Sequence, residues 1–287
     1  MKFASYNIQY GKGKDGRFDL ARIAASVADA DVIALQEVER FWPRSGNVDQ
    51  PAELAALLPD FYWVYGPGYD MDADTGRPGG ARRQFGNMLL SRTPILTSRN
   101  HLLPKFGAVH QFCLQRAALE GVIDTPRAGA LRVYSLHLSH IGDGDRAAQV
   151  ERILDLHKNA PAEGGAWCGA HREPEWTQGR AAPPMPAQAL FMGDFNISVA
   201  SPLYARLVGP ASYEFGRMTA SSGLVDAYVA AGNDEASGWS CDSTLGERVR
   251  IDYCMASASL APHIKRAWID NDAIGSDHQP IWTEIAL

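Results

Sequence analysis

The sequence predicts an α/β protein in which two stacked β-sheets carry helices on their outer faces. Strand-like and helix-like segments alternate in both halves of the chain, which is the pattern of layered α/β architectures. The 287 residues are 46% hydrophobic, enough to build a large core, and no internal repeat of solenoid length is visible. We therefore expect one catalytic domain over residues 1–287, with loop insertions at about 66–85 and 159–188.

The elements of the first half follow from their hydrophobic periodicity. Apolar residues recur at helical spacing between residues 19 and 28, where Asp19 can cap the first turn. A continuous apolar run at 32–36 predicts a strand that is buried on both faces. The remaining predictions are a strand at 2–7, a helix at 51–58 and strands at 61–65, 86–91, 95–101 and 111–123.

The second half continues the same alternation. A strand is predicted at 131–138, followed by a helix at 143–158 in which Val150, Ile153 and Leu154 share one face. The segment 159–188 is rich in Gly, Pro and Ala, which predicts a loop. The other predictions are strands at 189–192, 249–255, 263–270 and 279–285 and a helix at 201–208.

Composition limits the classes of function. The net charge is −6, whereas dedicated nucleic-acid binders are more often basic. The N-terminus has no signal-like apolar run, and the apolar stretches are too short to span a bilayer, so we expect a cytoplasmic protein without a membrane span. The four cysteines are scattered, which predicts reduced thiols; a zinc site at Cys168 and His171 is the second interpretation.

Acidic, amide and imidazole side chains recur at the ends of the predicted strands. Such side chains can share one rim of a sheet and form a site on a rigid scaffold. Each of them alone has a simpler interpretation as a turn, a cap or a satisfied core residue. The candidates, in chain order, are Asn7, Glu37, His137, Asp194, Asn196, Asp252, Asp277 and His278.

Seven short motifs surround these candidates. They are SYNI at 5–8, LQEV at 35–38, GNMLLSR at 86–92, SLHL at 135–138, GDFN at 193–196, RIDY at 250–253 and GSDHQP at 275–280. In this order they resemble the endonuclease/exonuclease/phosphatase superfamily, which includes DNase I, exonuclease III and the sphingomyelinases. The resemblance implies a DNase I-like fold, a four-layer α/β/β/α sandwich of two mixed β-sheets flanked by helices.

The resemblance also implies a divalent-metal-dependent phosphoesterase. In that scheme Glu37 binds the metal and Asp277 lies in its neighbourhood. Oxygen ligands suit Mg²⁺, with Mn²⁺ as a substitute. Asp194 would activate the attacking water, and His278, held by Asp252, would stabilise the charge that develops on the phosphoryl oxygens.

Further residues are expected to contact the substrate. The resemblance implies that Asn7 helps to hold either the metal or the phosphate, and that Asn196 and His278 bind phosphoryl oxygens. His137 would act as a catalytic residue on the phosphate or on the leaving-group side. Arg116 would support the substrate phosphate, with a buried ion pair as the alternative.

Three interpretations of the substrate remain open. A small-molecule or lipid-headgroup phosphodiester or phosphomonoester is favoured by the acidic charge and by the histidine at 137, which is typical of the DNase I, sphingomyelinase and phosphatase branches. A DNA or RNA endo- or exonuclease is the alternative, supported by Arg77, Arg82 and Arg83. A non-catalytic binding protein of the same fold is the second alternative. The oligomeric state is not predicted by the sequence.

Overall fold

Two six-stranded mixed sheets form the centre of the computed structural model, which describes residues 1–74, 76, 78–242 and 246–287. The helices and strands in this part of the chain are β1 (Lys2–Asn7), α1 (Leu20–Val27), β2 (Val32–Arg40), α2 (Gln50–Leu57), β3 (Tyr62–Asp72), β4 (Arg82–Ser91), β5 (Ile95–Leu102), β6 (Ala117–Thr125), β7 (Gly129–His137), α3 (Asp143–Glu163), α4 (Pro174–Thr177), β8 (Ala189–Asp194), α5 (Pro202–Val208), β9 (Ala211–Ser212), β10 (Gly216–Arg217), β11 (Leu224–Asp226), α6 (Ala227–Ala230), β12 (Cys241–Asp242), β13 (Arg248–Val249), β14 (Asp252–Ser257), β15 (Ile264–Ile269) and β16 (Ile281–Ile285).

The two large sheets have closely matched topologies. The first has the strand order β15-β16-β1-β2-β4-β3, and the second has the order β11-β14-β8-β7-β6-β5. One pair in each sheet is parallel, β1 with β2 and β7 with β8. Since neighbouring parallel strands end at the same edge of a sheet, β1, β2, β7 and β8 bring their C-terminal residues to one rim of the molecule.

Alternating side chains along the strands separate the layers. In β2, Val32 and Ala34 belong to the core between the two sheets, whereas Ile33 and Leu35 pack with residues of α1 and α2. The residues of β7 divide in the same way between the inter-sheet core and a third cluster with α3 and α5. The predicted four-layer sandwich is therefore confirmed, because each sheet buries both of its faces.

The segment predicted as a loop insertion at about 66–85 is largely strand. β3 continues to Asp72 and β4 begins at Arg82, and these two residues are paired in register. Most side chains at these ends are partly or fully exposed, so the strand extensions carry no hydrophobic period, although their backbone groups are paired. The connection is limited to 73–81, in which Arg77 lies outside the described residues.

Two further boundaries bear on the site. The strand predicted at 111–123 begins only at Ala117, so Arg116 precedes β6 instead of lying within a strand. The strand predicted to end before Glu37 continues to Arg40 through a bulge between Leu35 and Val38. A bulge redirects a side chain by adding a residue to one strand, and this one has Glu37 in the left-handed region with φ +59°.

The segment 159–188 is joined to the second sheet by Arg132. The first residues of this segment belong to the end of α3, and α4 is a short helix within the segment. The fully buried Arg132 guanidinium donates to the carbonyl oxygens of Leu156, His157, Pro186 and Ala187 over 2.7–3.1 Å. One side chain thus satisfies backbone acceptors from the end of α3 and from the chain just before β8.

Replacing Arg132 with Met is expected to lower the free energy of unfolding by about 2–4 kcal/mol, because buried carbonyls lose their donors. Chemical denaturation followed by circular dichroism measures this change. Arg152→Met is the matched control, since Arg152 is partly exposed and pairs with Asp155 on the same helix; it should change stability by less than about 0.5 kcal/mol. Equal effects of the two substitutions would contradict the anchoring role.

No described helix combines the length and the apolar character needed to cross a membrane.

Candidate active site

The predicted polar residues meet at the rim where the parallel strands end. His137, the last residue of β7, lies opposite Asp194, the last residue of β8, and Asp194 lies opposite Asp252 of β14. This close strand packing explains the glycine before Asp194. Gly193 has φ +148°, and a Cβ atom there would lie 1.9 Å from the carbonyl oxygen of Leu136, so only glycine fits.

His278 and Asp252 form a buried hydrogen-bonded pair. The Nδ1 atom of His278 lies 2.8 Å from Oδ2 of Asp252, and the Ser240 hydroxyl donates to the same oxygen at 2.7 Å. Burial alone would lower the pKa of His278, but the carboxylates of Asp252 and Asp194 outweigh it and raise that pKa well above 6.5. This shift favours the protonated ring, and the hydrogen bond to Asp252 holds the ring in a fixed orientation.

Asp194 lies at the centre of the polar cluster. Its Oδ2 atom lies 3.1 Å from Nδ2 of Asn7, 3.3 Å from Nε2 of His137 and 3.7 Å from Nε2 of His278. Its Oδ1 atom accepts from the backbone N–H of Asn196 at 2.8 Å. Burial, followed by the negative charge of Asp252, raises the pKa of Asp194 to about 7, which places its proton equilibrium near neutral pH.

Asn7 organises the two carboxylates beside it. Its Oδ1 atom accepts from the backbone N–H of Gln9 at 3.1 Å, which fixes the orientation of the amide. The amide nitrogen then donates to Glu37 at 3.3 Å and to Asp194 at 3.1 Å. This orientation favours Asn7 as the donor that positions the carboxylates, instead of as a metal ligand through its oxygen.

Glu37 and Asp277 provide hard oxygen donors at the same rim. Burial raises the pKa of Glu37, and the negative charge of Asp277 adds to this shift. The Oδ2 atom of Asp277 accepts from Gln9 at 2.7 Å, and both carboxylates line one cavity. Two interacting carboxylates, one of them with a raised pKa, fit a divalent cation that prefers oxygen ligands and would offset their repulsion.

A second set of donors converges at the rim. Within the described residues, Asp194, Asp252 and His278 each contribute one oxygen or nitrogen atom to a group in which all atoms lie within 4.8 Å of one another. This spacing is compatible with a shared metal ion. The Nδ1 atom of His278 is occupied by Asp252, which leaves Nε2 as the ring nitrogen that faces the other donors. With Nε2 deprotonated the trio has the donor set of a metal site, and with Nε2 protonated it is suited to proton transfer and charge stabilisation.

Arg116 contacts two imidazoles. Its Nη1 and Nη2 atoms lie 3.0 Å from Nδ1 of His137 and 3.0 Å from Nδ1 of His140, respectively. A guanidinium only donates, so both Nδ1 atoms accept and both rings carry their proton on Nε2. Burial, with Arg116 as a further cause, lowers the pKa of His137 well below 6.5 and also lowers that of His140, so both rings are neutral.

Arg116 itself is buried without an ion-pair partner. Among the described residues, no carboxylate oxygen lies within 4.0 Å of its guanidinium, so the alternative of a buried ion pair is wrong. Burial lowers its pKa, although Glu37 and Asp194 act in the opposite direction from a greater distance. A buried cation that lines a cavity without a paired anion is suited to an anionic ligand.

The cavity has a volume of about 450 Å³ and two unlike halves. One half carries Glu37, Asp194 and His278 with their neighbours. The other is mostly aromatic and aliphatic. Its lining residues, with two arginines and a histidine among them, are Tyr10, Trp42, Arg44, Phe85, Phe112, Leu114, Arg116 and His140.

All eight strand-end candidates fall within this network, which also includes described residues that were not predicted, among them Cys241, whose thiol hydrogen-bonds with His278. Gln9 lies two residues after Asn7, a spacing that could have marked it, and His140 follows His137 by three residues. Ser240 has no sequence signal, because its partner Asp252 is brought to it by folding.

The zinc interpretation at Cys168 and His171 gains no support from the described residues. Cys168 is exposed and free, and within the described residues it belongs to no cluster of three potential ligands. His171 uses Nδ1 to accept from the backbone of Glu173 and packs on Trp176. The nearby His140 faces Arg116 instead, so the sequence neighbours do not converge on one ion.

The sequence and the fold were compared with protein families and solved structures. The model for the Endonuclease/Exonuclease/phosphatase family matches residues 4–278. No curated protein matches the chain at a significant level. A solved endonuclease/exonuclease/phosphatase from Beutenbergia cavernae has a TM-score of 0.70 and 22% identity, and the match covers 100% of this chain and 71% of that chain.

Two more solved structures share the fold. An endonuclease/exonuclease/phosphatase family protein from Leptotrichia buccalis has a TM-score of 0.67 and 18% identity, with 100% of both chains covered. The 3′ phosphatase NExo from Neisseria, bound to a product DNA hairpin, has a TM-score of 0.55 and 17% identity, also with 100% of both chains covered. At these identities the likeness shows the fold alone.

Proposed function

Because the chain belongs to the endonuclease/exonuclease/phosphatase family and is a metal-dependent phosphoric ester hydrolase, we propose that it hydrolyses a small-molecule or lipid-headgroup phosphoester with water activated by Asp194. The observation that carries this proposal is the position of Asp194, which accepts a hydrogen bond from Asn7 and lies 3.3 Å from Nε2 of His137 and 3.7 Å from Nε2 of His278. A base and an acid of opposite charge thus face one point in the cavity. Residues 1–287 act in this proposal as one catalytic domain.

Asp194 is the proposed general base. Its pKa of about 7 allows the carboxylate to take a proton from water at neutral pH. Asn7 and the backbone N–H of Asn196 hold the carboxylate from two directions. The activated water would attack phosphorus in line with the leaving oxygen.

His278 is the proposed stabiliser of the transition state. Its imidazolium would donate from Nε2 to the phosphoryl oxygens, on which negative charge builds during attack. Asp252 orients the ring through Nδ1, and Ser240 in turn holds Asp252. Through these two hydrogen bonds, Ser240 and Asp252 fix the direction in which Nε2 of His278 points.

Glu37 and Asp277 are the proposed carboxylate ligands of the divalent cation, Mg²⁺ or Mn²⁺, and Asn7 positions Glu37 through its amide nitrogen. When bound, such a cation supplies Lewis-acid stabilisation of charge on the phosphate and on the leaving oxygen.

His137, Asn196 and Arg116 are proposed to bind the substrate phosphate and the leaving-group side. Arg116 brings to the cavity a positive charge that no carboxylate of the described residues pairs, and His137 lies between Arg116 and Asp194 with one ring nitrogen toward each. Asn196 has φ +51° and contacts both Nε2 of His137 and the carbonyl of Leu138. Strained backbone is often retained at active sites.

The charges around the cavity favour a small substrate over a nucleic acid. A polynucleotide is held by free Lys and Arg side chains along its backbone. Here Arg44 pairs with Glu39, Arg82 with Asp70, and both Lys14 and Arg248 with Asp242.

The four free cysteines support a reducing, cytoplasmic location.

Removal of the divalent cation tests the proposal. We expect EDTA to abolish hydrolysis of bis(4-nitrophenyl) phosphate and 4-nitrophenyl phosphate, and excess Mg²⁺ to restore it. Glu37→Gln should lose both activity and the Mg²⁺-dependent rise in melting temperature, since at about 100 times Kd a ligand adds roughly 2.7 kcal/mol of stability. Glu53→Gln, an exposed position on α2, is the control, and full turnover in EDTA would refute the mechanism.

The nuclease alternative is tested with the same preparations. Supercoiled plasmid and an oligonucleotide with a 3′ phosphate are incubated with Mg²⁺ and either the wild type or His278→Gln. We expect the small esters to be hydrolysed with higher kcat/KM than either nucleic acid. Efficient nicking or dephosphorylation that disappears in His278→Gln would instead establish a nuclease.

A further inference from the structure

The aromatic side chains of the cavity have no role in the chemistry proposed above. The apolar lining of the cavity includes Trp42 and Phe85, together with Phe112 and Leu114 of the segment before β6. Arg116 joins the two halves, because its guanidinium lies 5.9 Å from the centroid of Phe85 and also contacts His137. A phosphate at Arg116 would therefore place its ester group beside these rings.

The wall on the Trp42 side is preformed. The Arg44 guanidinium stacks 4.0 Å from the Tyr10 centroid and 4.5 Å from that of Trp42. Its position is held by the fully buried carboxylate of Glu39, 2.8 Å away. Stacked rings and a tethered guanidinium give a rigid surface that is already ordered before a ligand arrives.

The polar groups of this half do not offer a second free positive charge. The charge of Arg44 is paired with Glu39, and His140 is neutral because its Nδ1 accepts from Arg116. His140 therefore presents at most an uncharged N–H donor at Nε2. The described side chains that line this half therefore offer a second phosphate group no unpaired cation; Arg83, 5.6 Å from the Trp42 centroid, lies outside the lining and donates to the carbonyl oxygens of Phe41 and Ala73.

We propose that the subsite formed by Trp42, Phe85, Phe112 and Leu114 binds an uncharged aromatic group of the substrate, carried by the phosphoester whose phosphorus lies beside Arg116. This inference rests on the proposed function, because it takes the phosphate position from it. Rings bind well to aromatic walls, since they bury apolar area and stack without a large loss of conformational freedom.

Equilibrium binding tests the subsite without turnover. Mg²⁺-loaded Asp194→Asn protein is titrated with diphenyl phosphate, dimethyl phosphate and glucose 1,6-bisphosphate, and Kd is measured by calorimetry. Burial of one ring predicts about tenfold or greater preference for diphenyl phosphate over dimethyl phosphate. Equal affinities of these two diesters, or tighter binding of the bisphosphate, would overturn the proposal.

Substitutions then locate the binding. Phe112 is 69% exposed, so Phe112→Ser should fold, and in the same background it should weaken diphenyl phosphate by about fivefold. Dimethyl phosphate should bind unchanged. Leu114→Ala is the second variant, and Phe215→Ser, at 76% exposure outside the cavity lining, is the matched control. An equal loss in Phe215→Ser, or no loss in either cavity variant, would overturn the subsite.

The two proposals fail separately. Metal-dependent hydrolysis of simple diesters by the wild type, without preference for the ring in binding, refutes the subsite and leaves the proposed function intact. Ring-selective binding that Phe112→Ser weakens, in a wild type that hydrolyses no phosphoester, supports the subsite and refutes the proposed function.

Discussion

Asp194→Asn should lower kcat for phosphoester hydrolysis by about 10²–10⁴-fold, the usual contribution of a general base. The amide keeps the shape of the side chain but cannot accept a proton from water. KM should change little, because the phosphate contacts of Arg116 are retained. Steady-state kinetics with bis(4-nitrophenyl) phosphate measures the effect, and Asp155→Asn, an exposed carboxylate on α3, serves as the control.

The pH profile separates a base from a structural carboxylate. A general base works when deprotonated, so wild-type kcat/KM should fall as pH drops below the pKa of Asp194. That pKa is raised to about 7 in the protein alone, and a bound cation would move it lower. Any residual activity of Asp194→Asn should lack this acid limb. A variant with near wild-type kcat, or with the limb unchanged, would contradict the assignment.

His278→Gln should reduce kcat by about 10²–10³-fold, the typical loss when one preorganised donor to the transition state is removed. Glutamine can donate a hydrogen bond but carries no positive charge. The measurement is kcat at neutral pH, with folding checked by thermal melting. Because the side chain is buried with Asp252, a correctly folded variant with wild-type kcat would show that His278 is not part of the chemistry.

Asp252→Asn tests how the imidazolium is maintained. The carboxylate raises the pKa of His278 against the effect of burial, so its removal should lower that pKa. Since the protonated ring is the active form, the alkaline limb of kcat should move to lower pH in Asp252→Asn. The double variant with His278→Gln should be little worse than His278→Gln alone, because the two residues act as a unit.

The polar residues at the strand ends predicted which side chains meet at the site more completely than they predicted what each side chain does there. Asn7, Asp194 and His278 were expected from motifs and lie within hydrogen-bond range or close to it. The amide of Asn7 nevertheless directs its nitrogen toward the carboxylates, because Gln9 occupies its oxygen. That orientation depends on a local turn with positive φ at Gln9, which the motif does not encode visibly.

Exposed strands were the weakest part of the fold prediction. The apolar run of β2 and the amphipathic pattern of α3 were read correctly, because burial imposes a period on the sequence. The ends of β3 and β4 are paired only through their backbones, with partly exposed side chains, and no such period marks them.

The sequence alone determined the family, the four-layer architecture and the set of polar residues at the rim, since these depend on local periodicity and on short motifs. Only the tertiary structure decided that Arg116 has no carboxylate partner among the described residues, that His137 and His140 both contact it, and that aromatic side chains adjoin the reaction centre. Charge pairing, tautomer and cavity shape arise from side chains distant in the chain. Folding brings those side chains into contact, and these contacts determine their protonation states and the ligands that the cavity can bind.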